Sequence, residues 1–334
     1  MRRIIMALML ASLAAGAVAG AAWVLVAPPA KAAFPGHNGR IVFWREDSNG
    51  VVQIWVADKD LSDQVKLTNG SANSGWAHWK PGGAKLAFDS TRADPDPTDA
   101  RTIVDIFKMN PDGTGVVKLT DSKALDADPG WSPDGRKIAF DSDRADRPGR
   151  GEIHVMDSDG TNVRRVTTLP ADAMLDLAPR FSPDGRRLVF TRYKNLKEPG
   201  LSALFTVRVD GGGLKRLTPW SNGANNAHWS PNGKKLVFEA FPLAKPSCHG
   251  DIYTVDSDGQ HLTNITNNRC QAGSSDPVWS PNGKKILFLQ RRAEGDEVSP
   301  PGFGLAKMNP DGSARHFISP NPEEGHWPDW ESVR

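Results

Sequence analysis

A chain of 334 residues with 24% charged side chains, 32 glycines and 26 prolines has the makeup of a water-soluble, turn-rich globular protein, which excludes a disordered or membrane-embedded one. Its formal charge of +2 includes Arg2, Arg3 and Lys31; without residues 1–32 it loses three of 41 basic residues and none of 39 acidic ones, leaving about −1. Such a near-neutral body lacks the concentrated positive footprint that a phosphate backbone demands, so nucleic acid is not an expected partner.

The chain opens on a basic Met1-Arg2-Arg3, runs without a charge from Ile4 to Val26, and reaches a small-x-small Ala30-Lys31-Ala32. This order predicts an export signal over residues 1–32, or an N-terminal membrane anchor where it stays uncleaved, with residues 33–334 forming one domain. The body is expected outside the cytoplasm, whether periplasmic, at the cell surface or secreted. Membrane contact is expected only through that segment.

Residues 34–43 read as a turn and one strand, with no strand before them. From there a phrase recurs: Trp79-Lys-Pro-Gly-Gly, Trp131-Ser-Pro-Asp-Gly, Phe181-Ser-Pro-Asp-Gly, Trp229-Ser-Pro-Asn-Gly and Trp279-Ser-Pro-Asn-Gly. Each leads through basic residues into a short apolar run ending at Phe88, Phe140, Phe190, Phe238 or Phe288. The aromatic anchors lie 52, 50, 48 and 50 residues apart, and a further 51 residues lead to Trp330. A second phrase ends in Asp-Gly at Gly113, Gly160, Gly259 and Gly312, followed by a short segment closing on Leu119-Thr120 or Val166-Thr167.

Each repeat thus holds four short strands joined by tight hairpin turns. Units of this length without helical periodicity predict an all-β fold: a six-bladed β-propeller of four-stranded antiparallel blades, closed by pairing of the N- and C-terminal strands. The closing strands are residues 34–43 and His326-Trp-Pro-Asp-Trp330, a first strand with nothing after it. Cys248 and Cys270, in turn-rich stretches of an exported chain, are expected to form a disulfide.

The aromatic-Ser-Pro-Asp-Gly phrase followed by Met-Asp-x-Asp-Gly resembles the propeller repeat of the TolB family across residues 34–330. The resemblance implies the fold more strongly than the function, because related propellers also sit beside peptidase domains and in some lyases. TolB itself carries an N-terminal α/β domain and propeller peptidases an α/β-hydrolase domain; here the signal segment is expected to run straight into the first repeat.

Strand direction sorts the loops. The turns after first and third strands are tight and nearly uniform, while the connections after second strands and between blades vary, so binding is expected on the loop-bearing face. Three residues before the anchors stand Trp76, Asp128, Ala178, Asn226, Asp276 and Trp327, with His78, Asp126, Asp176, His228 and His326 close by. Such a ring could hold a divalent cation or polar ligand and stack a sugar on Trp, although capping of strand ends and blade contacts is the plainer reading. The repeated Asp89-Ser-x-Arg92 and Asp141-Ser-x-Arg144, with Lys194 and Arg292 at the matching offset, read as ionic staples within blades. Asp157-Ser-Asp-Gly160 and Asp256-Ser-Asp-Gly259 read as hairpin turns, since the later Glu of a calcium loop is missing.

No Gly-x-Ser-x-Gly elbow or Walker-type phosphate loop occurs. No catalytic residue, metal or cofactor is therefore assigned. The expected function is a monomeric, non-enzymatic binding scaffold for an envelope or extracellular protein or peptide, with candidate contacts at Trp76, His78, Asp126, Asp128, Asp176, Asn226, His228, Asp276, His326 and Trp327. The alternative is a glycan-binding or lyase-type propeller using Trp76, Trp220 and Trp327 with His78 and His228.

Overall fold

The turn chemistry sets the blades. In the first-hairpin turn of blade three, Ser132 Oγ accepts the Lys137 N–H at 2.9 Å and donates to Asp134 Oδ1 at 2.6 Å, while Gly135 takes a φ of +65°. Ser182, Ser230 and Ser280 repeat that arrangement in the following blades. A left-handed φ is open to glycine without steric cost, which is why the fifth residue of the phrase is glycine.

The computed structural model describes residues 36–94, 103–144, 149–194, 201–241, 250–268, 273–291, 303–319 and 326–333. The expected signal segment, Cys248, Cys270 and Arg292 lie outside the described residues. Those described form six four-stranded antiparallel sheets, with one short 3-10 turn at Trp220–Asn222. Among them no helix is long and apolar enough to cross a membrane.

The inner strands of blades two to six are Ser74–Trp79, Asp126–Trp131, Leu175–Phe181, Ala224–Trp229 and Ser274–Trp279. Blade one takes its inner strand, His326–Val333, from the C-terminal end and pairs it with His37–Glu46, placing Trp330 opposite Ile41 and Asp329 opposite Val42. This is the predicted ring closure, and it gives blade one the same four strands as the other five blades.

Neighbouring blades cover both faces of each sheet, so the inner strands are buried along nearly their whole length instead of alternating. The terminal Phe of each second-strand apolar run, Phe43, Phe88, Phe140, Phe190, Phe238 and Phe288, is fully buried, each in its own hydrophobic cluster. Each such ring is worth about 2–3 kcal/mol of transfer free energy.

Every inner strand of blades two to six carries a bulge at the same place. Pairing with the second strand slips between Gly75 and His78, Ala127 and Gly130, Leu177 and Arg180, Asn225 and His228, and Ser275 and Val278. Inside each slip, Trp76, Asp128, Ala178, Asn226 or Asp276 has a φ between 41° and 54°. A left-handed non-glycine residue costs about 1–2 kcal/mol, and Asn and Asp tolerate it best, which accounts for three of the five. The extra residue re-aims the strand at the residue two positions on.

Removing residues 326–334 deletes the inner strand of blade one and exposes the edge of His37–Glu46. Urea unfolding of that truncation should show a lower midpoint and a shallower transition than the full chain; an unchanged, single sharp transition would contradict the closed ring.

Candidate functional site

The bulges bring the residue before each anchor to the axis. His78, Gly130, Arg180, His228, Val278 and Asp329 line an axial cavity of about 60 Å³, walled by the anchor rings and by Pro81, Pro231 and Pro281 of the first-hairpin turns. The cavity therefore lies toward the uniform, turn-bearing end of the disc, and has room for a few water-sized groups.

Its floor is a charge network joining four blades. Arg180 Nη2 donates to His78 Nε2 at 2.6 Å and to Asp128 Oδ1 at 2.7 Å. His78 Nδ1 lies 3.4 Å from Asp329 Oδ2, which also accepts the Trp79 N–H at 2.8 Å. Gly130 makes this possible: a Cβ there would stand 2.7 Å from the Pro179 carbonyl oxygen and 3.5 Å from the Arg180 side chain. Burial alone would raise both carboxyls, but Arg180 and His78 hold Asp128 below the usual carboxylate range, and His78 does the same for Asp329. His228, its ring 6.0 Å from that of His78, is pushed down to about 3 by burial and by Arg180, so it is neutral.

Above the floor, the residue after each core Phe forms a second ring: Trp44, Asp89, Asp141, Thr191, Glu239 and Leu289, all buried. Asp89 Oδ2 accepts the Asp128 N–H of the next blade at 3.0 Å, and Glu239 Oε2 accepts the Asp276 N–H at 3.1 Å. Asn226 donates to Glu239 at 2.9 Å and to Asp276 at 3.3 Å. Burial pushes Asp89 and Asp276 up to about 7, and pushes Asp141 and Glu239 well above the usual range, so these groups keep protons that exposed carboxyls would shed. Among the described residues no group of His, Cys, Asp and Glu is arranged to hold a metal ion.

The predicted residues thus separate into layers. His78, His228 and Asp128 belong to the axial network, and Asn226 with Asp276 to the ring above it. Trp76 is buried at the blade one–two junction, its ring 6.0 Å from Trp44. Asp126 and Asp176 stand farther out toward the loops, paired with Arg144 at 2.6 Å and Arg192 at 2.6 Å. His326 and Trp327 lie on the closing strand, their side chains outside the described residues. Trp220 packs on Phe205, with Lys194 4.8 Å from its ring centre.

Sequence reading missed Arg180, Asp329 and Glu239, and it read Asp89 and Asp141 only as parts of ionic staples within blades, whereas Asp89 bonds the Asp128 N–H of the next blade and Arg144 pairs with Asp126. The signal was available in two columns, the residue before each anchor and the residue after each core Phe, because the bulge makes both face the axis.

The family model for the TolB beta propeller domain matches residues 171–330. That segment holds the repeats from blade four to the closing strand, whereas the six blades run from His37 to Val333. The propeller is TolB-like.

A TolB homologue of Chlorobium luteolum is 34% identical to the TolB-like chain over 47% of its length, and an uncharacterised protein of Agrobacterium fabrum 31% over 36%. The aligned parts span 31% and 40% of those relatives' own lengths. Among solved structures, TolB from Acinetobacter baumannii superposes with a TM-score of 0.66 at 22% identity, covering 89% of this chain and 67% of that one. An oligogalacturonate lyase in complex with manganese gives 0.54 at 12% identity, covering 84% and 74%. At these identities the structural likenesses speak for the fold alone.

Arg180→Met removes the cation from the axis of the TolB-like propeller and leaves Asp128 buried without it. The expected loss is about 3–5 kcal/mol in urea unfolding, partly restored by adding Asp128→Asn. No loss would mean that the network does not bind the blades.

The raised carboxyls also set a pH dependence. A group whose folded pKa lies above its unfolded value near 4 stabilises the fold fully below pH ~4 and progressively less as pH rises toward 7. Asp89→Asn keeps an oxygen acceptor for the Asp128 N–H and removes that titration. It should leave stability at pH 4 nearly unchanged and raise it at pH 8, flattening the fall between; an equal effect at both values would refute the assignment.

Proposed function

We propose that this chain is an exported, TolB-like binding scaffold that recognises a protein or peptide partner of the envelope or extracellular space on its loop-bearing face. The observation that carries the reading is a contrast between the two ends. A partner can seat in one orientation on a sixfold repetitive disc only where the blades differ. At the turn end the serine-centred hydrogen bonds repeat from blade three through blade six. At the loop end equivalent positions carry different chemistry: Ser74, Asp126, Asp176, Ala224 and Ser274 stand five residues before the anchors of blades two to six.

The axial groups favour binding over catalysis. His78 Nε2 is occupied by Arg180, and burial and Arg180 push His228 down to about 3, so neither is poised as a general base near neutral pH. The glycan- or lyase-type reading loses its main sugar platform as well, since Trp76 is covered by Trp44. The basic start, apolar run and Ala30-Lys31-Ala32 support export.

A photo-crosslinking residue at exposed Ser71, on the loop end, and another at exposed Lys284, on the turn end, separate the alternatives in the producing cell. A discrete covalent adduct should form from position 71 and not from 284. Adducts from 284 alone would overturn the choice of face.

A further inference from the structure

Blades two and three build the same arginine constellation at the loop end. In blade three, Arg144 Nε donates to Ser142 Oγ at 2.8 Å, and its Nη2 donates to Asp126 Oδ2 at 2.6 Å. In blade two, Arg92 Nε donates to Ser90 Oγ at 3.1 Å, and its Nη2 donates to Ser74 Oγ at 2.9 Å. The backbone N–H of each arginine bonds the same serine, at 3.1 Å and 3.2 Å. Each guanidinium lies over the core Phe of its own second strand, at 5.2 Å from Phe140 and 4.9 Å from Phe88. Two side chains around the guanidinium differ: Phe107, 5.3 Å from Arg92, stands where blade three has His154, and Ser74, the hydrogen-bond partner of Nη2, stands where blade three has Asp126.

A further difference points the same way as the loss of Asp126. In blade three Ser122 Oγ donates to Asp126 Oδ2 at 2.9 Å. The segment preceding the inner strand has the same length in both blades, and Gly70 occupies the Ser122 position. A Cβ at Gly70 would meet nothing within 4 Å, so the space is open. Blade two has therefore lost both the carboxylate and its hydroxyl donor, while keeping the arginine and the serine that orient it. Among the described residues no carboxylate is in ion-pair contact with Arg92, and burial pulls its pKa down, as expected for a half-buried cation lacking a counter-charge.

We propose that Arg92, with Ser74 and Ser90, is a receptor for a carboxylate supplied by the partner, which completes in blade two the ion pair that Asp126 makes within blade three. Arg92 Nη1 carries no hydrogen bond within the described protein and is available to a second carboxylate oxygen, so a bidentate contact is open to the ligand. The inference deepens the peptide-binding reading, from which it takes only the peptide nature of the partner, and it narrows that partner to one presenting an acidic side chain or a free C terminus at this point.

Arginine Nε–H resonances of the full chain report the site directly. Titration with N-acetyl-Ala-Glu-Ala-amide and with N-acetyl-Ala-Ala-Ala bearing a free C terminus distinguishes side-chain from terminal carboxylates; N-acetyl-Ala-Gln-Ala-amide is the neutral control. The Arg92 signal should move saturably with at least one acidic peptide and stay fixed with the neutral one, while Arg144 and Arg192, already paired, do not respond. Ser74→Asp should supply the missing acid from within, raise the melting temperature and weaken the titration about tenfold or more. Arg92→Gln should abolish it. A stationary Arg92 signal, an equal response to the neutral peptide, or an unaltered titration in Ser74→Asp would overturn the proposal. Loss of the position-71 adduct with the titration intact would instead sink the partner reading and leave the carboxylate site standing.

Discussion

A radial stack of sheets leaves each inner strand facing the axis, where polar backbone and side-chain groups are cut off from bulk water. The pairing of His326–Val333 with His37–Glu46 closes that stack, and Asp329, on the closing strand, takes part in the axial network through His78 and the Trp79 N–H. Closure and network are thus one device. The strand that seals the ring also delivers the carboxylate that orients His78, which in turn receives Arg180. A buried cation with partners from several blades is strong evidence of register, because shifting any one blade would strand a charge in low dielectric.

The bulge is what allows a network at all. A regular inner strand would send alternate side chains into the two neighbouring blades and none to the axis. With one residue in the left-handed region, the residue two positions on is brought to the axis, and this happens at the same step in blades two to six. The strain is local and repeated, and the packing of six core Phe rings offsets it.

Repetition makes such a fold stable, and departures from repetition make it specific. Gly130 yields space to Arg180, Ala178 stands where other blades carry Asp or Asn, and Ser74 replaces an acid beside Arg92. Within one chain the blades serve as controls for each other. A position that changes while its surroundings stay the same marks a place where the protein's own contacts are incomplete.

Blade number, strand order and closure were all legible in the sequence, because Pro-Asp/Asn-Gly turns and anchor spacing are local signals that recur every 48 to 52 residues. So was the shared offset of Arg92 and Arg144 from the core Phe, although of the two only Arg144 forms an ion pair among the described residues, with Asp126. His78, His228, Asp128, Asn226 and Asp276 were picked out by register, but their division between the axial floor and the ring above it was not visible. Nor were Arg180 and Asp329, which lie 102 and 251 residues from His78 in the chain and meet it only once the blades have come together. Turns and strands follow from short-range sterics and hydrogen bonding, so sequence determines them. Which charges meet on the axis depends on six blades arriving at one point, and only the tertiary structure decides that.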